Sequence, residues 1–121
     1  MVQQMDDEEA VQCVTALAHE VRMRMFRYLM ELGPSGAVAG EIVSALDTSK
    51  TGASFHFKEL HRAGLIRSTR EGRNIRYQIH IEKVQELFSH LLTSYCSARP
   101  KQRGNFIVDL TKQLKRFEGT R

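Results

Sequence analysis

Cysteine is scarce in this chain, and the two cysteines present, Cys13 and Cys96, lie 83 residues apart. There is no CxxC pair and no zinc-finger spacing, and the five histidines form neither an HExxH motif nor another paired-ligand cluster. A zinc module or a disulfide-stapled secreted scaffold would need such spacings. We therefore expect neither a zinc module nor a disulfide-stapled secreted protein, and we expect both thiols to be reduced.

Long apolar runs are missing as well. No uninterrupted apolar stretch reaches the roughly 18 residues that a membrane-spanning helix needs, and the N-terminal segment is acidic where a signal peptide would be basic. We therefore expect a cytoplasmic protein with no membrane partner. The sequence also lacks a nucleophile elbow, a phosphate-binding glycine loop and paired carboxylates in a plausible pocket, so we do not expect an enzyme.

Charge is present but unevenly distributed. The 121 residues, 41% of them apolar, suffice for one compact domain with a net charge of +4. Residues 1–48 carry three basic and eight acidic side chains, residues 49–80 carry seven and two, and residues 81–121 carry eight and four. A concentrated basic block is typical of a surface that binds a polyanion. In an ordinary solvated face, acidic segments would be expected to interleave with it.

Apolar residues at helical spacing predict four helices in the first half of the chain, over residues 7–17, 20–32, 38–46 and 50–63. Gly33 and Pro34 end the second helix. The turn Asp47-Thr48-Ser49 separates the third helix from the fourth and can cap the fourth.

The pattern then changes to period two. Residues 65–69 and 75–79 alternate around a polar tip at 70–74, which predicts a β-hairpin. A fifth helix follows with an apolar stripe from Val84 to Tyr95, and after a break at residues 99–104 an amphipathic helix covers 105–116. The order predicts a mainly α, winged helix-turn-helix fold with a β-hairpin wing, over residues 1–98, and a C-terminal extension over 99–121.

Two sides of the fourth helix differ in chemistry. Ala53, Phe57, Leu60 and Gly64 share one face and should pack inward. The other side suits a DNA major groove, where small polar groups reach base edges, lysines neutralise phosphates and an aromatic edge touches thymine methyls. The predicted DNA-binding residues are Ser49, Lys50, Thr51, Ser54, Phe55, His56 and Lys58, with Arg70 and Arg73 at the hairpin tip.

Two of these residues have alternatives. Phe55 suits packing under the neighbouring helix as well as contact with DNA or a partner. For His56, a partly buried and hydrogen-bonded position in the helix is favoured over reading a base.

Three stretches of this sequence resemble the ArsR/SmtB family of bacterial winged-helix repressors. The opening signature is matched by ALAHEVRMRM at residues 16–25, and the recognition-helix segment by LDTSKTGASFHFKEL at 46–60. The helix exit and wing are matched by AGLI at 63–66 and REGR at 70–73. The resemblance covers about residues 8–98. It implies a homodimer formed by the first and fifth helices, which binds an inverted repeat in double-stranded DNA and is released by an effector or a thiol reaction.

The stripe from Val84 to Tyr95 supports this dimer, because it is wider than one small domain needs and symmetric pairing would bury it. The alternative is an intramolecular core helix. A winged helix can also serve as a protein-interaction or dimerisation module without specific DNA binding, which is the rival function.

The metal sites of the family are not matched here. Residues 36–40, in the region of the third helix, contain no cysteine, and His80, Glu82, His90 and Thr93 do not have the spacing of the fifth-helix metal ligands. We therefore expect no metal site of either type.

What remains for a sensor is thiol chemistry. Cys96 lies where arsenite-responsive members carry two adjacent cysteines and where redox- or persulfide-sensing members carry one. Trivalent arsenic needs two or three thiolates, so Cys13 would have to supply another, from the same or the partner subunit. The redox type pairs this position with a cysteine on the second helix, where this chain has Arg27. Sensing by Cys13 and Cys96 therefore stands beside the alternative of two inert thiols.

Overall fold

The computed structural model describes residues 4–118, which form six helices and three strands. The helices are α1 (Asp7–Leu17), α2 (Glu20–Leu32), α3 (Ala39–Leu46), α4 (Lys50–Arg62), α5 (Ile81–Ala98) and α6 (Arg103–Glu118). The strands are β1 (Ala37–Val38), β2 (Ile66–Glu71) and β3 (Asn74–Ile79), and Gly33–Ser35 form a 3-10 turn. This order confirms the predicted mainly α fold with a β-hairpin wing.

Side-chain caps fix where the helices start. The Asp6 carboxylate accepts a hydrogen bond from the Glu9 amide at 2.8 Å and begins α1. The Ser49 hydroxyl accepts from the Gly52 amide at 3.2 Å and begins α4. Each cap satisfies an amide that has no partner inside its helix, so the element boundaries follow from local sequence.

Strand β1 was not predicted. The sheet order is β1-β3-β2 and all pairs are antiparallel, with Ala37 opposite Tyr77 and Val38 opposite Arg76. The prediction that the third helix begins at residue 38 is therefore wrong, because Val38 pairs in the sheet and α3 starts at Ala39. A strand of two residues is too short to show an alternating pattern in the sequence. Strand β1 is instead defined by its pairing with β3.

The wing is longer than predicted and its turn is tighter. Arg70 pairs with Ile75 and Glu71 with Asn74, which leaves Gly72 and Arg73 as a two-residue turn. Gly72 has a φ of 63°, a conformation that such turns require and that glycine adopts without strain. Arg70 therefore lies in strand β2, and of the two predicted tip arginines Arg73 alone occupies the tip.

The core lies between the helices and the sheet. It contains the fully buried side chains of Met25, Leu29, Ile42, Leu60 and Leu65. The Phe57 ring on α4 stacks on the Tyr77 ring of β3, with centroids 4.1 Å apart and planes 13° from parallel. This contact fastens the inner face of α4 to the sheet, so the outer face of α4 is held in a fixed direction.

Helix α5 divides its apolar stripe between two environments. Val84 and Leu87 are buried in the core of the protomer, whereas Phe88, Leu91 and Tyr95 are exposed. An ion pair of 3.0 Å between Lys83 and Glu9 ties the start of α5 to α1. The alternative of a core helix is thus correct for Val84 and Leu87, whereas pairing of the exposed side with a second copy stays a prediction.

Candidate nucleic-acid interface

Helix α4 presents the predicted residues on its outer side. Its inner residues Ala53, Phe57 and Leu60 are buried, as the spacing predicts. The side chains of the opposite face are exposed: Ser49, Lys50, Thr51, Ser54, Phe55 and Lys58. The hydroxyl of Ser49 is engaged as the N-cap of α4, so this residue contributes first to the geometry of the turn.

The turn that leads into α4 has a distinct backbone. Asp47 follows α3 in the left-handed conformation, with a φ of 51°, and its amide donates to the Ser44 carbonyl at 3.3 Å. The Thr48 amide donates to the Val43 carbonyl at 3.2 Å. These bonds end α3 and redirect the chain within three residues, which is the connection that a helix-turn-helix needs.

Phe55 is 53% exposed and does not pack under a neighbouring helix. The guanidinium carbon of Arg22, on α2, lies 5.5 Å from the centre of the Phe55 ring. A cation over an aromatic face is attracted by its quadrupole, so Arg22 restrains the ring while leaving half of it accessible. This arrangement favours contact with DNA or a partner over a core role.

His56 is half-buried and hydrogen-bonded, as favoured from the sequence. Its Nδ1 accepts a hydrogen bond from Arg22 Nε at 3.1 Å, and its ring centre lies 4.5 Å from that of His19. Burial is the main cause that lowers the pKa of His56, and the positive charges of His19 and Arg22 lower it further. The neutral ring is therefore favoured, and Arg22 needs this form because it donates to an unprotonated Nδ1.

The seven basic side chains of residues 49–80 fall into two groups. Three are paired with carboxylates: Arg62 with Glu59 at 3.5 Å, Arg67 with Glu82 at 3.9 Å, and Arg76 with Glu71 at 2.8 Å. Over residues 4–118, no ion pair or hydrogen bond involves the side chains of the other four, which are Lys50, Lys58, Arg70 and Arg73.

These four cations are the ones that were predicted to contact DNA. Two lie on the outer face of α4 and two on the wing, and all four are exposed. A cation without a carboxylate partner can neutralise a phosphate without first breaking an ion pair. The fold therefore divides the basic side chains of residues 49–80 into three that are paired with carboxylates and four that can contact phosphates directly.

Sequence reasoning missed the supporting residues Arg22 and His19. They lie at the start of α2, more than thirty positions before His56, and no local sequence pattern predicts their contact with α4. His80 was also missed as a support of the wing: its Nδ1 lies 2.9 Å from the Gly64 carbonyl, and its Nε2 lies 2.9 Å from an Arg67 nitrogen.

The two cysteines are in different environments. Cys13 is fully buried, its thiol donates to the Ala63 carbonyl at 3.5 Å, and burial raises the pKa of this thiol while Lys83 lowers it. Cys96 is half-buried on α5. A protonated, buried thiol is unreactive, so the structure argues against Cys13 as a sensor residue.

The two thiols belong to different helices, Cys13 to α1 and Cys96 to α5. The charges of Lys83 and Glu86, near the start of α5, act on Cys13. Cys96 lies thirteen residues further along this helix than Lys83, about 20 Å at 1.5 Å per residue. An approach of the two thiols, within one subunit or across two, stays a prediction.

The described residues, 4–118, hold neither a candidate metal cluster nor a membrane-spanning helix. No group of three or more histidine, cysteine, aspartate or glutamate side chains in this range is arranged to hold a metal ion. No helix within the same range is long and apolar enough to cross a membrane.

An open groove of about 1050 Å³ lies between the first and fifth helices. We call it the α1/α5 groove; its lining includes Ala10, Val11 and Val14 from α1 and Glu82, Glu86 and Leu91 from α5. Val11 is 62% exposed, and Phe88 on the neighbouring turn of α5 is 52% exposed. An apolar surface of this kind is typical of an interface with another chain.

Comparison with known proteins agrees with this geometry. A protein family described as "Helix-turn-helix domain" matches residues 17–69. The HTH-type transcriptional regulator YgaV of Escherichia coli K12 is 30% identical over 89 residues, which is 74% of this chain and 88% of YgaV. The transcriptional activator HlyU of Vibrio cholerae is 29% identical over 90 residues, which is 74% of this chain and 81% of HlyU.

Solved structures extend the likeness to three dimensions. An ArsR-like transcriptional regulator from Rhodococcus sp. RHA1 has a TM-score of 0.61 and 25% identity, over 85% of this chain and 92% of that one. The homodimeric winged helix-turn-helix DNA-binding domain Mb0332 from Mycobacterium bovis, described as a possible ArsR-family transcriptional regulator, has a TM-score of 0.59 over 85% of this chain and 95% of that one. At 24% identity, the second likeness shows the fold alone.

Proposed function

The chain belongs to the ArsR/SmtB-type family of winged helix-turn-helix transcriptional regulators, and from this premise we propose that it is a homodimeric repressor that binds an inverted repeat and leaves it when an effector acts. That the protein is a DNA-binding regulator follows from its relatives. The observation that carries the proposed contacts is the set of four exposed cations without acidic partners on α4 and the wing.

We assign base reading to the first turns of α4. Lys50, Thr51 and Ser54 are exposed, and short polar or basic side chains at the start of a recognition helix can reach base edges in the major groove. Phe55, whose ring is restrained by the Arg22 guanidinium, is placed to contact thymine methyl groups.

Lys58, Arg70 and Arg73 are assigned to phosphates. Such contacts fix the register of the protein on the duplex without reading sequence.

The dimer is proposed to form through α1 and α5. The exposed apolar side chains Val11, Phe88, Leu91 and Tyr95 would be covered by the same surface of a second copy, as a two-fold interface requires. Two recognition helices then face half-sites about 34–36 Å apart on one side of the duplex. An inverted repeat is the DNA sequence that matches this symmetry.

Release by thiol chemistry is proposed at Cys96. It is the more accessible of the two thiols, whereas Cys13 is fully buried. Trivalent arsenic needs two or three thiolates, and the burial of Cys13 withholds the second one, so an oxidant or persulfide is the favoured effector class. Cys96→Ser and Cys13→Ser compare the two sites: loss of release in the first and not in the second supports the proposal. Release of the Cys96→Ser variant by every agent that releases the wild type would contradict it.

Competition binding tests the DNA-binding function directly. Labelled DNA from upstream of the protein's own gene is titrated with the protein, and excess random DNA of equal length is then added. Survival of the complex supports a specific operator, whereas its loss favours a protein-interaction module with nonspecific affinity. A reporter gene behind the same DNA determines the sign: lower expression with the protein supports a repressor, and higher expression would make it an activator.

A further inference from the structure

The outer half of the wing extends beyond the three-stranded part of the sheet. Strand β1 pairs with Tyr77 and Arg76, so it supports the wing at its base. Within residues 4–118, the sheet beyond Arg76 has two strands, in which residues 70–71 pair with 74–75. All residues from 70 to 75 are exposed. A two-stranded hairpin is marginally stable by itself in water, so this half needs a contact with the rest of the protomer if it is to keep a fixed direction.

The side chain of Arg76 makes such a contact. Its Nε donates to a carboxylate oxygen of Glu71 at 2.8 Å, and its Nη1 donates to the Ser35 carbonyl at 3.2 Å. Glu71 directly precedes the wing turn, whereas Ser35 lies in the 3-10 turn after α2. One guanidinium therefore joins the outer end of β2 to a turn at the base of the wing.

The guanidinium of Arg76 suits this bridge. Its planar fork donates to two partners in fixed directions, which a single ammonium group does not. The hydrogen bond and the charge of Glu71 raise the pKa of Arg76, and the charge of Glu41, in the first turn of α3, raises it further. The side chain of Arg76 is 29% exposed, and its charge faces carboxylates of its own protomer.

The Ser35 carbonyl belongs to a segment that cannot shift independently of the sheet. The next residue, Gly36, lies so close to β3 that an added Cβ atom would be 1.9 Å from the Tyr77 carbonyl oxygen. The Gly36 amide also donates to the Gly33 carbonyl at 3.3 Å. A bond from Arg76 to Ser35 therefore anchors the wing to a rigid part of the protomer.

We propose that Arg76 is a positioning residue for DNA binding: by joining Glu71 to Ser35 it fixes the direction of the wing and so places Arg73 against a phosphate. The inference rests on the phosphate contacts of the proposed function and adds the residue that determines where they are made. Arg76 acts through Arg73 and makes no phosphate contact of its own. The same bond neutralises Glu71, the acidic residue beside Arg70, whose carboxylate would otherwise repel a phosphate.

The first test needs no DNA and measures the order of the wing. Arg76→Met keeps an unbranched apolar stem and removes both donors. Amide order parameters of residues 70–75 should be near the rigid-backbone value of about 0.85 in the wild type and fall toward about 0.6 in this variant. Arg62→Met, which removes a cation that pairs with Glu59 on α4, is the control and should leave them unchanged. Wild-type order parameters in Arg76→Met would overturn the proposal.

Two substitutions of Glu71 test the same bond from its other side. Glu71→Gln keeps an oxygen that can accept from Arg76 Nε, and Glu71→Ala removes it. We expect the glutamine variant to keep the wild-type order of residues 70–75 and the alanine variant to lower it as Arg76→Met does. Because Glu71 is exposed, both variants should fold even if Arg76→Met does not. Wild-type order in Glu71→Ala would also contradict the positioning role.

The second test couples Arg76 to Arg73 on operator DNA. In the otherwise unchanged chain, Arg73→Ala should reduce the slope of log K against log salt by about 1. In the Arg76→Met background the wing no longer holds Arg73 at its phosphate, so Arg73→Ala should reduce the slope by less than half as much. A purely structural loss of stability would not remove this coupling. Additive reductions would instead make Arg76 a phosphate contact in its own right, and the positioning role would be wrong.

The outcomes separate this inference from the proposed function. If Arg73→Ala leaves the wild-type salt slope unchanged, the proposed phosphate contact of Arg73 is wrong, and with it the claim that Arg76 places this contact. If that slope falls as expected but Arg76→Met changes neither the order of the wing nor the effect of Arg73→Ala, the phosphate contact stands and the role of Arg76 is overturned.

Discussion

Arg22 on α2 donates a hydrogen bond from its Nε to Nδ1 of His56 on the recognition helix, across 3.1 Å. The same guanidinium reaches the Ala16 carbonyl at the end of α1, at 3.5 Å, and lies over the Phe55 ring. One side chain thus connects three helices at the point where α4 turns its outer face to solvent. Phe55, which is proposed to contact DNA, and His56 beside it are therefore positioned by a residue outside α4.

Replacing Arg22 with methionine should weaken both stability and operator binding. The variant leaves the half-buried His56 Nδ1 without its donor and frees the Phe55 ring, so we expect a loss of about 1 kcal/mol in the free energy of unfolding. Operator affinity should fall about tenfold, which is the effect of some 1.4 kcal/mol. Urea unfolding and fluorescence anisotropy measure the two quantities.

Arg27→Met is the matched control for this substitution. It removes the same charge from an exposed position of α2. Equal loss of affinity in both variants would show that Arg22 acts through its charge rather than through its contacts.

The pKa of His56 predicts a pH dependence of stability. Burial and the neighbouring charges of His19 and Arg22 lower this pKa in the folded state, whereas the unfolded chain has a value of about 6.5. Below that value the unfolded state binds more protons than the folded state, so this group removes stability as the pH falls from about 6.5 through the folded pKa. Above pH 6.5 its contribution is constant.

His56→Asn tests this dependence because the amide oxygen can replace Nδ1 as an acceptor but does not titrate. Unfolding free energies at pH 7.5 and pH 5 should differ less in this variant than in the wild type. His61→Asn, an exposed position on the same helix, serves as the control. A wild-type difference that His56→Asn leaves unchanged would assign the pH dependence to other groups.

The helices and the hairpin could be predicted from the sequence because their signals are local. Ser49 caps the helix that it directly precedes, and Ala53, Phe57 and Leu60 repeat at the helical period. Strand β1 carries no such signal, since its two residues are defined by their pairing with Tyr77 and Arg76. The tight wing turn is likewise decided by cross-strand pairing, which extends both strands beyond the polar residues of the expected loop.

The location of the candidate site could be predicted from the basic residues of that segment, but the contacts that those residues make could not. The basic block marks the region, but nothing local separates Arg76, which pairs with Glu71 across the hairpin, from Arg73, which is free of such a partner among residues 4–118. The distinction appears when the strands are paired. The same holds for Cys13, because no local pattern shows its burial against the end of α4.

Gly36→Ala should destabilise the fold strongly. Gly36 has a φ of 61°, and a Cβ atom built on it would lie 1.9 Å from the Tyr77 carbonyl oxygen, which is backbone and cannot move aside without disturbing β3. We expect a loss of about 3 kcal/mol or more, or failure to fold. Gly40→Ala, on α3 with open space around the added methyl, should be neutral or stabilising by up to about 1 kcal/mol. Thermal unfolding of both variants checks the contrast, and similar melting temperatures would refute the close approach.

Single substitutions of the proposed DNA contacts should separate base readers from phosphate contacts. Arg73→Ala removes an exposed wing cation, so it should weaken all DNA sequences about equally and reduce the salt slope of log K by about 1. Lys50→Ala and Ser54→Ala should instead relax the preference for operator over random DNA, because an incorrect base contact costs about 1–3 kcal/mol. Arg62→Ala, which removes a cation of α4 that pairs with Glu59 at 3.5 Å, should change neither quantity appreciably. Uniform weakening by Lys50→Ala, Ser54→Ala and Arg73→Ala would move all three residues to the phosphate class and place sequence reading elsewhere on α4.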